Sequence, residues 1–166
     1  SPRIPGAWGC QGLPNGHRLV TSFQARYAVE YDREGNEVWR NEGRLPLYPT
    51  SVERLPNGNT LVGGRDIDDK LGIVVEVGRD GAVVGDSLTR LTFKPYDLRM
   101  LATGRMLAAC TYDNVVCEFE RDGTRVARTT LSDVDRPETA RRMLNGHLLV
   151  VDNGGEMRQV ADRLQG

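Results

Sequence analysis

Histidine, cysteine and tryptophan are scarce in this 166-residue chain, which has two, three and two of them. Cys10, Cys110 and Cys117 give neither the dense set of a disulfide scaffold nor the paired CxxC spacing of a zinc site, so no metal site is expected from them. No apolar run approaches the ~18 residues that cross a membrane, and the opening SPRIPGAWG lacks the basic and long apolar regions of a secretory signal. A soluble protein without a membrane partner is expected, its compartment left open. An excess of one charge is missing too: 22 Lys and Arg stand against 23 Asp and Glu, a net charge of -1. A generic phosphate-backbone binder needs a concentrated basic field, so nucleic acid is not an expected partner. There is no Walker loop, dinucleotide fingerprint or EF-hand loop. Long helical stripes are also lacking, the nearest approach being 137–144.

Glycine, by contrast, is plentiful at 19 residues, and one turn is written four times: GLPNGHRLVTS from Gly12, RLPNGNTLVGG from Arg54, MLATGRMLAAC from Met100 and RMLNGHLLVVD from Arg142. The marker glycines Gly16, Gly58, Gly104 and Gly146 are spaced by 42, 46 and 42 positions, long enough for a four-stranded unit. A second turn follows each: Asp32–Gly35, Arg79–Gly81, Arg121–Gly123 and a start at Asp162. Asn-Gly and Asp-Gly supply the positive backbone angles of two-residue hairpins. In the second unit the spacing predicts strands A to D at 51–55, 60–62, 73–77 and 82–84. Pro49, Pro95 and Pro137 each precede their marker by nine residues and lead the chain into strand A, with Ala7 at that place in the first unit. The repeat register also assigns 137–144 to a strand A.

Repeated meanders cover their apolar faces by stacking around an axis, which predicts an all-β fold of β-propeller-type, four-stranded antiparallel blades. A β-sandwich does not require the repeat, and an open solenoid usually has shorter coils. The expected domain is a single propeller or propeller fragment over 1–166, with blades near 7–44, 49–88, 95–132 and 137–166, three complete and the fourth lacking its last strand. A fragment of a larger propeller, ring completion by self-association and a three-stranded closing blade all remain open. The partner is accordingly a second copy or the remainder of a larger propeller.

The run Leu55–Val62, with Val74–Val77 and Asp80–Val84 after it, resembles the repeat of bacterial NHL-like, PQQ-like and arylsulfotransferase-like β-propellers; Asp32–Trp39 in the first unit is also typical of that group. The likeness covers nearly all of the chain from Gly6. It implies architecture; activity is another matter, because propellers host binding modules, lyases, hydrolases and transferases alike.

The A–B and C–D hairpins are short and lie on one rim, whereas the B–C and D–A connections vary and gather on the other, where ligand contact is expected. Candidate ligand-binding residues are Trp8, Glu53, Tyr96, Arg99, Tyr112 and Arg141. One phase of strand A aims Glu53, Arg99 and Arg141 at the axis, forming a mouth for a small anion or a peptide end; the other offers Trp8, Thr50, Tyr96 and Glu138. In the acidic run Arg65–Lys70, Asp66 and Asp68 are two oxygen ligands where calcium needs more, and the flanking cations neutralise them. His17 and His147 follow their marker glycines on the opposite rim and read as polar turn exits, without a nucleophile chain. No catalytic residue is assigned and no cofactor is expected: PQQ-type binding needs a tryptophan-lined site, and there are only Trp8 and Trp39. The expected function is a noncatalytic ligand-binding or protein-interaction scaffold, completed in one version by self-association, for a peptide or small molecule. The alternative is a propeller lyase, hydrolase or sulfotransferase-like enzyme with an axial active site using Tyr96, Arg99 and Tyr112. Cys110 and Cys117 are expected as reduced, buried thiols directly opposite each other across a two-residue turn.

Overall fold

In the computed structural model, which describes residues 3–130 and 134–160, the chain forms four small antiparallel sheets and no α-helix among those residues. Sheet one holds β1 (Ala7–Gly12), β2 (Arg18–Ser22), β3 (Tyr27–Tyr31) and β4 (Glu37–Arg40). The second has β5 (Leu47–Arg54), β6 (Thr60–Asp66), β7 (Gly72–Val77) and β8 (Thr89–Leu91). The third has β9 (Asp97–Met100), β10 (Met106–Cys110), β11 (Val115–Phe119) and β12 (Arg125–Thr130). The fourth shows β13 (Pro137–Arg142), β14 (Leu148–Asp152) and β15 (Met157–Val160); Asp162, the expected start of its last turn, lies outside the described residues. Each sheet is an up-and-down meander, and together they are the blades of a β-propeller.

The repeated turns use a different geometry from the expected two-residue hairpin. Gly16, Gly58, Gly104 and Gly146 have φ of 85, 89, 85 and 83°, while none of the residues before them has positive φ. A type I′ turn needs positive φ at both central residues. Here Gly58 N donates to Leu55 O and Leu55 N to Asn59 O, a type I turn closed by a glycine bulge, and the other three copies match it. The asparagine has a separate role: Asn57 Oδ1 accepts from Asn59 N at 3.0 Å, as Asn15 and Asn145 do for His17 and His147.

Blade contacts follow from alternation along these short strands. Leu19, Leu61 and Leu107, each three residues past its marker, point at the following blade and are at most 2% exposed. They pack respectively with Val52, Val62 and Val75; with Leu98, Met106 and Phe119; and with Ala140, Leu148 and Val150. Burying one such leucine contributes about 2 kcal/mol. Strand C pairs an acid with each leucine: Glu30, Glu76 and Glu118, while Leu149 of the fourth blade faces Gln159. Glu30 accepts from Arg54 Nη2 at 2.5 Å on the next blade, and Glu118 accepts from Arg142 in the same way. Met100 stands at the arginine position of the third blade, and Glu76 is instead bound by Arg121 Nη2 at 2.5 Å. The blades are therefore joined by an apolar column with a charged bond beside it.

Two expectations about strands are corrected. Strand D of the second blade is Thr89–Leu91, not 82–84. The Asp80-Gly81 turn closes, and Val83 bridges Val77, but a second turn from Val84 to Ser87 takes the chain off the ladder. Ser87 Oγ then bonds the backbone of Glu76 where a strand residue would have done so. Cys110 pairs with Val115 and Cys117 with Ala108, so the two thiols lie diagonally on one face, not opposite. The connection is a 3-10 turn, Thr111–Asp113, followed by Asn114 in the left-handed region, longer than the two-residue turn expected from the sequence. Both thiols are free and buried.

Candidate ligand-binding rim

The variable rim collects the starts of the inner strands and the B–C loops. The residue eight before each marker is Trp8, Thr50, Tyr96 or Glu138. In the second blade the small Thr50 is buried, its hydroxyl donating to Pro95 O at 2.8 Å. With no large side chain there, Trp8 of the first blade and Tyr96 of the third meet edge to face, ring centres 5.0 Å apart. Tyr96 continues to Tyr112 at 6.0 Å, and Trp8 to Phe23 at 5.1 Å and on to Tyr48 at 5.1 Å. Five rings thus run across three blades.

Cations are threaded through this chain of rings. The Arg65 guanidinium lies 4.9 Å from the centre of Phe23 and 5.8 Å from that of Tyr112. Lys94 Nζ lies 5.4 Å from Tyr112, and Arg26 5.9 Å from Tyr48. Arg65 and Lys94 share one carboxylate, Asp69, at 3.0 and 3.4 Å. Asp69 is held by its own backbone in the left-handed region, φ 57°, at the tip of the four-residue-longer B–C loop of the second blade. The sequence run Arg65–Lys70 is thus an ion-paired turn: Asp66 Oδ1 accepts from the Lys70 and Leu71 amides, and Lys94 takes the role expected of Lys70. Among the described residues no group of three or more metal-ligating side chains converges. Burial, then the Tyr112 and Glu138 charges, push the Tyr96 phenol above its ordinary 10.0, which keeps it protonated and a poor base at neutral pH.

The six candidates separate into two sets. Trp8, Tyr96 and Tyr112 come together at this rim. Glu53, Arg99 and Arg141 face the neighbouring blades and are engaged in joining them. Glu53 Oε2 accepts from Met100 N at 2.7 Å, and Arg99 Nη1 donates to Val52 O at 3.1 Å. Asp97 Oδ1 is ion-paired with Arg99, 3.2 Å from its Nε without hydrogen-bond alignment, and Oδ2 accepts from Arg141 and Thr139. These bonds complete the inner edges of strands A, which have a partner strand on one side only. Arg99 is thus bonded to the second blade, whereas Tyr112 packs on Tyr96 at the rim.

Both histidines are on the other rim. His17 Nδ1 lies 2.6 Å from Glu30 Oε1, and His147 Nδ1 2.8 Å from Gln159 Nε2. Asn59 stands at the same repeat position and donates to Glu76 at 2.6 Å. In these three blades that position hydrogen-bonds the strand C polar residue, whereas the hydrogen bond from Arg105 of the third blade goes to Glu120, just past β11, at 2.9 Å. A cavity of about 310 Å³ also opens on this side, beside Glu76, Ser87 and Arg121, where β8 is short.

Phe23, Tyr48, Arg65 and Lys94 were not among the sequence candidates. The repeat itself carries the missing signal: Phe23 and Arg65 are both seven residues past their markers, and Tyr48 and Lys94 both ten before. Stacked blades put equivalent positions side by side, so Phe23 meets Arg65.

No protein-family model and no curated protein matches the sequence. Solved structures do. A protein of unknown function from Bacteroides caccae superposes with a TM-score of 0.68 at 19% identity, covering 94% of this chain and 61% of its own. The chain is a β-propeller protein. A catalytically inactive virginiamycin B lyase from Staphylococcus aureus, solved with quinupristin, gives 0.67 at 12% identity, covering 98% and 58%. The PQQ-bound aldose sugar dehydrogenase from Streptomyces coelicolor gives 0.69 at 11%, covering 97% and 61%. At such identities the likeness is one of fold. This propeller chain spans about three fifths of the length of these proteins.

Proposed function

We propose that the protein is a noncatalytic ligand-binding propeller whose site is the aromatic rim centred on Trp8, Tyr96 and Tyr112. The observation that carries this reading is the continuous run of five rings on the variable rim, with Trp8 42% and Tyr112 54% exposed. Apolar rings left open to solvent beside fixed polar groups are the usual make-up of a recognition surface. The chemistry around them favours binding over turnover. Tyr96 holds its proton, both histidines are spent on the opposite rim, and Arg99 is bonded to backbone between blades. The ligand is a small molecule or a short peptide presenting an apolar group to the rings.

A screen of metabolites and short peptides by calorimetry tests this, with Trp8→Ala and Tyr96→Ala as controls. Truncating either ring should weaken any hit by about tenfold or more, the scale of one lost aromatic contact. Hits indifferent to both variants place the site elsewhere. Conversion of a bound compound by the wild type, lost in these variants, favours the enzyme reading.

A further inference from the structure

The charges around the rings narrow the ligand further, on the reading that this rim is the site. Three cations lie over these ring faces, Arg26 at Tyr48, Arg65 at Phe23 and Tyr112 and Lys94 at Tyr112, while the one acid whose charge is felt at Tyr96, Glu138, comes from the fourth blade. A ring face attracts positive charge through its quadrupole, so an empty cage of rings selects ammonium ligands. Here that attraction is already used by the protein's own side chains. Another cation would face two positive charges held within 6 Å of the Tyr112 centre.

Arg65 and Lys94 also have too few acids. They share the single carboxylate of Asp69, which is 53% exposed, while their own side chains are only 19% and 22% exposed. Lys94 has one further acceptor, the carbonyl of Asp69 at 3.1 Å. Arg65 Nε is buried against the rings without an acceptor. The local set is thus two half-desolvated cations to one half-solvated anion, and partial desolvation raises the value of any further negative charge. The exposed ring of Tyr112 lies beside this pair, linked through Tyr96 to the exposed ring of Trp8.

We propose that the rim takes a flat, unsaturated acid, its ring system on Trp8 and Tyr112 and its anionic group against Arg65 and Lys94. Arg65, with Nη1 on Asp69 and Nε buried, offers its remaining guanidinium N–H groups to the anion, and Lys94 a second point charge. Size complementarity comes from the rings, and sign selectivity from two cations that have the single carboxylate of Asp69 between them.

Three probes with the same ring system separate the contribution of the rings from that of the charges: 2-naphthoate, 2-naphthylmethanol and 2-naphthylmethylammonium, each titrated by calorimetry into the full chain. The naphthoate should bind about tenfold tighter than the alcohol, and the ammonium weakest. Arg65→Met and, because Arg65 also packs on Phe23, independently Lys94→Met should each cut the naphthoate preference to about threefold or less while sparing the alcohol. Trp8→Ala should weaken naphthoate and alcohol alike. Equal binding of all three probes, or tightest binding of the ammonium, overturns the acid assignment; if that binding is still lost in Trp8→Ala, the rim stands as the site. Absence of binding by all three, or binding indifferent to Trp8→Ala, overturns both.

Discussion

Glu30 shows how much a single side chain does in a blade junction. Its two oxygens take His17 from its own blade and Arg54 from the next, and Arg54 in turn lies 4.9 Å over the Trp39 ring. Replacing it by alanine leaves a partly buried guanidinium without its acid, and Glu30→Ala should cost about 2 kcal/mol, read as a lower urea midpoint at unchanged slope. Glu30→Gln, which retains an acceptor, should cost less. Glu76 adds a pH dependence. Burial raises its pKa, but hydrogen bonds from Asn59, Asn57 and Arg121 outweigh this and hold the carboxyl below its ordinary 4.5. A folded-state pKa lower than the unfolded one gives stability that is present above 4.5 and is lost as the pH falls through the folded value. The stability difference between wild type and Glu76→Gln should therefore be flat near neutrality and shrink on acidification below 4.5. The thiols separate by environment. Burial lifts Cys117 to about 11 and Cys110 well above its usual value, whereas Cys10 is exposed. Alkylation at mildly alkaline pH should label Cys10 alone in the native protein and all three cysteines after denaturation.

The turns are the elements that the sequence states most openly. A glycine at φ near 85° excludes side chains, so the four markers are legible as a repeat without any tertiary information. Their surroundings nevertheless differ. A Cβ at Gly58 would lie 2.0 Å from Arg79 Nε, displacing a guanidinium that donates to Asn57 O at 2.7 Å, whereas one at Gly104 meets nothing within 4 Å. Gly104→Ala should cost about 1 kcal/mol for the backbone alone, and Gly58→Ala about 1 kcal/mol more for the lost arginine bond. Equal urea midpoints for the two variants would show that Arg79 contributes nothing to the hairpin. Strand order and the blade number were readable from the same local signals, as were the prolines that lead into β9 and open β13. The inner strand of the second blade, expected at 51–55, instead starts at Leu47 and carries Pro49 inside it at a bulge. The displaced β8 was not, because the β propensity of Val83 and Val84 is overridden by a turn whose only mark is Gly85 and Ser87. The diagonal pairing of Cys110 and Cys117 was hidden for a similar reason: Thr111 and Tyr112 read as strand but form the 3-10 turn. The rim was half legible. Trp8, Tyr96 and Tyr112 stand out as aromatics near inner strands, but their meeting depends on Thr50 bowing out of the way, a consequence of packing between blades.

Across the whole molecule, the same leucine position samples four stages of one stack. Leu19, Leu61 and Leu107 each have a following blade to cover them, while Leu149 and Val151 face away from the third blade and are half-buried. In a stacked array stability is a sum of blade terms and junction terms, so a substitution should be felt according to the junction it occupies. Leu→Ala at 19, 61 and 107 should each cost about 3 kcal/mol, the usual range for a fully packed leucine that leaves a cavity. Leu149→Ala removes no covered contact of that kind and should cost about 1 kcal/mol or less. Urea titrations of the four variants at low protein concentration measure this gradient directly. A repeat of the series at high concentration then tests what lies on the fourth blade. If the Leu149 cost climbs toward that of Leu107 as the protein is concentrated, a second molecule covers that face, and sedimentation should show the larger species; if it stays small, the face is open to water and the three buried junctions account for the stability of the stack.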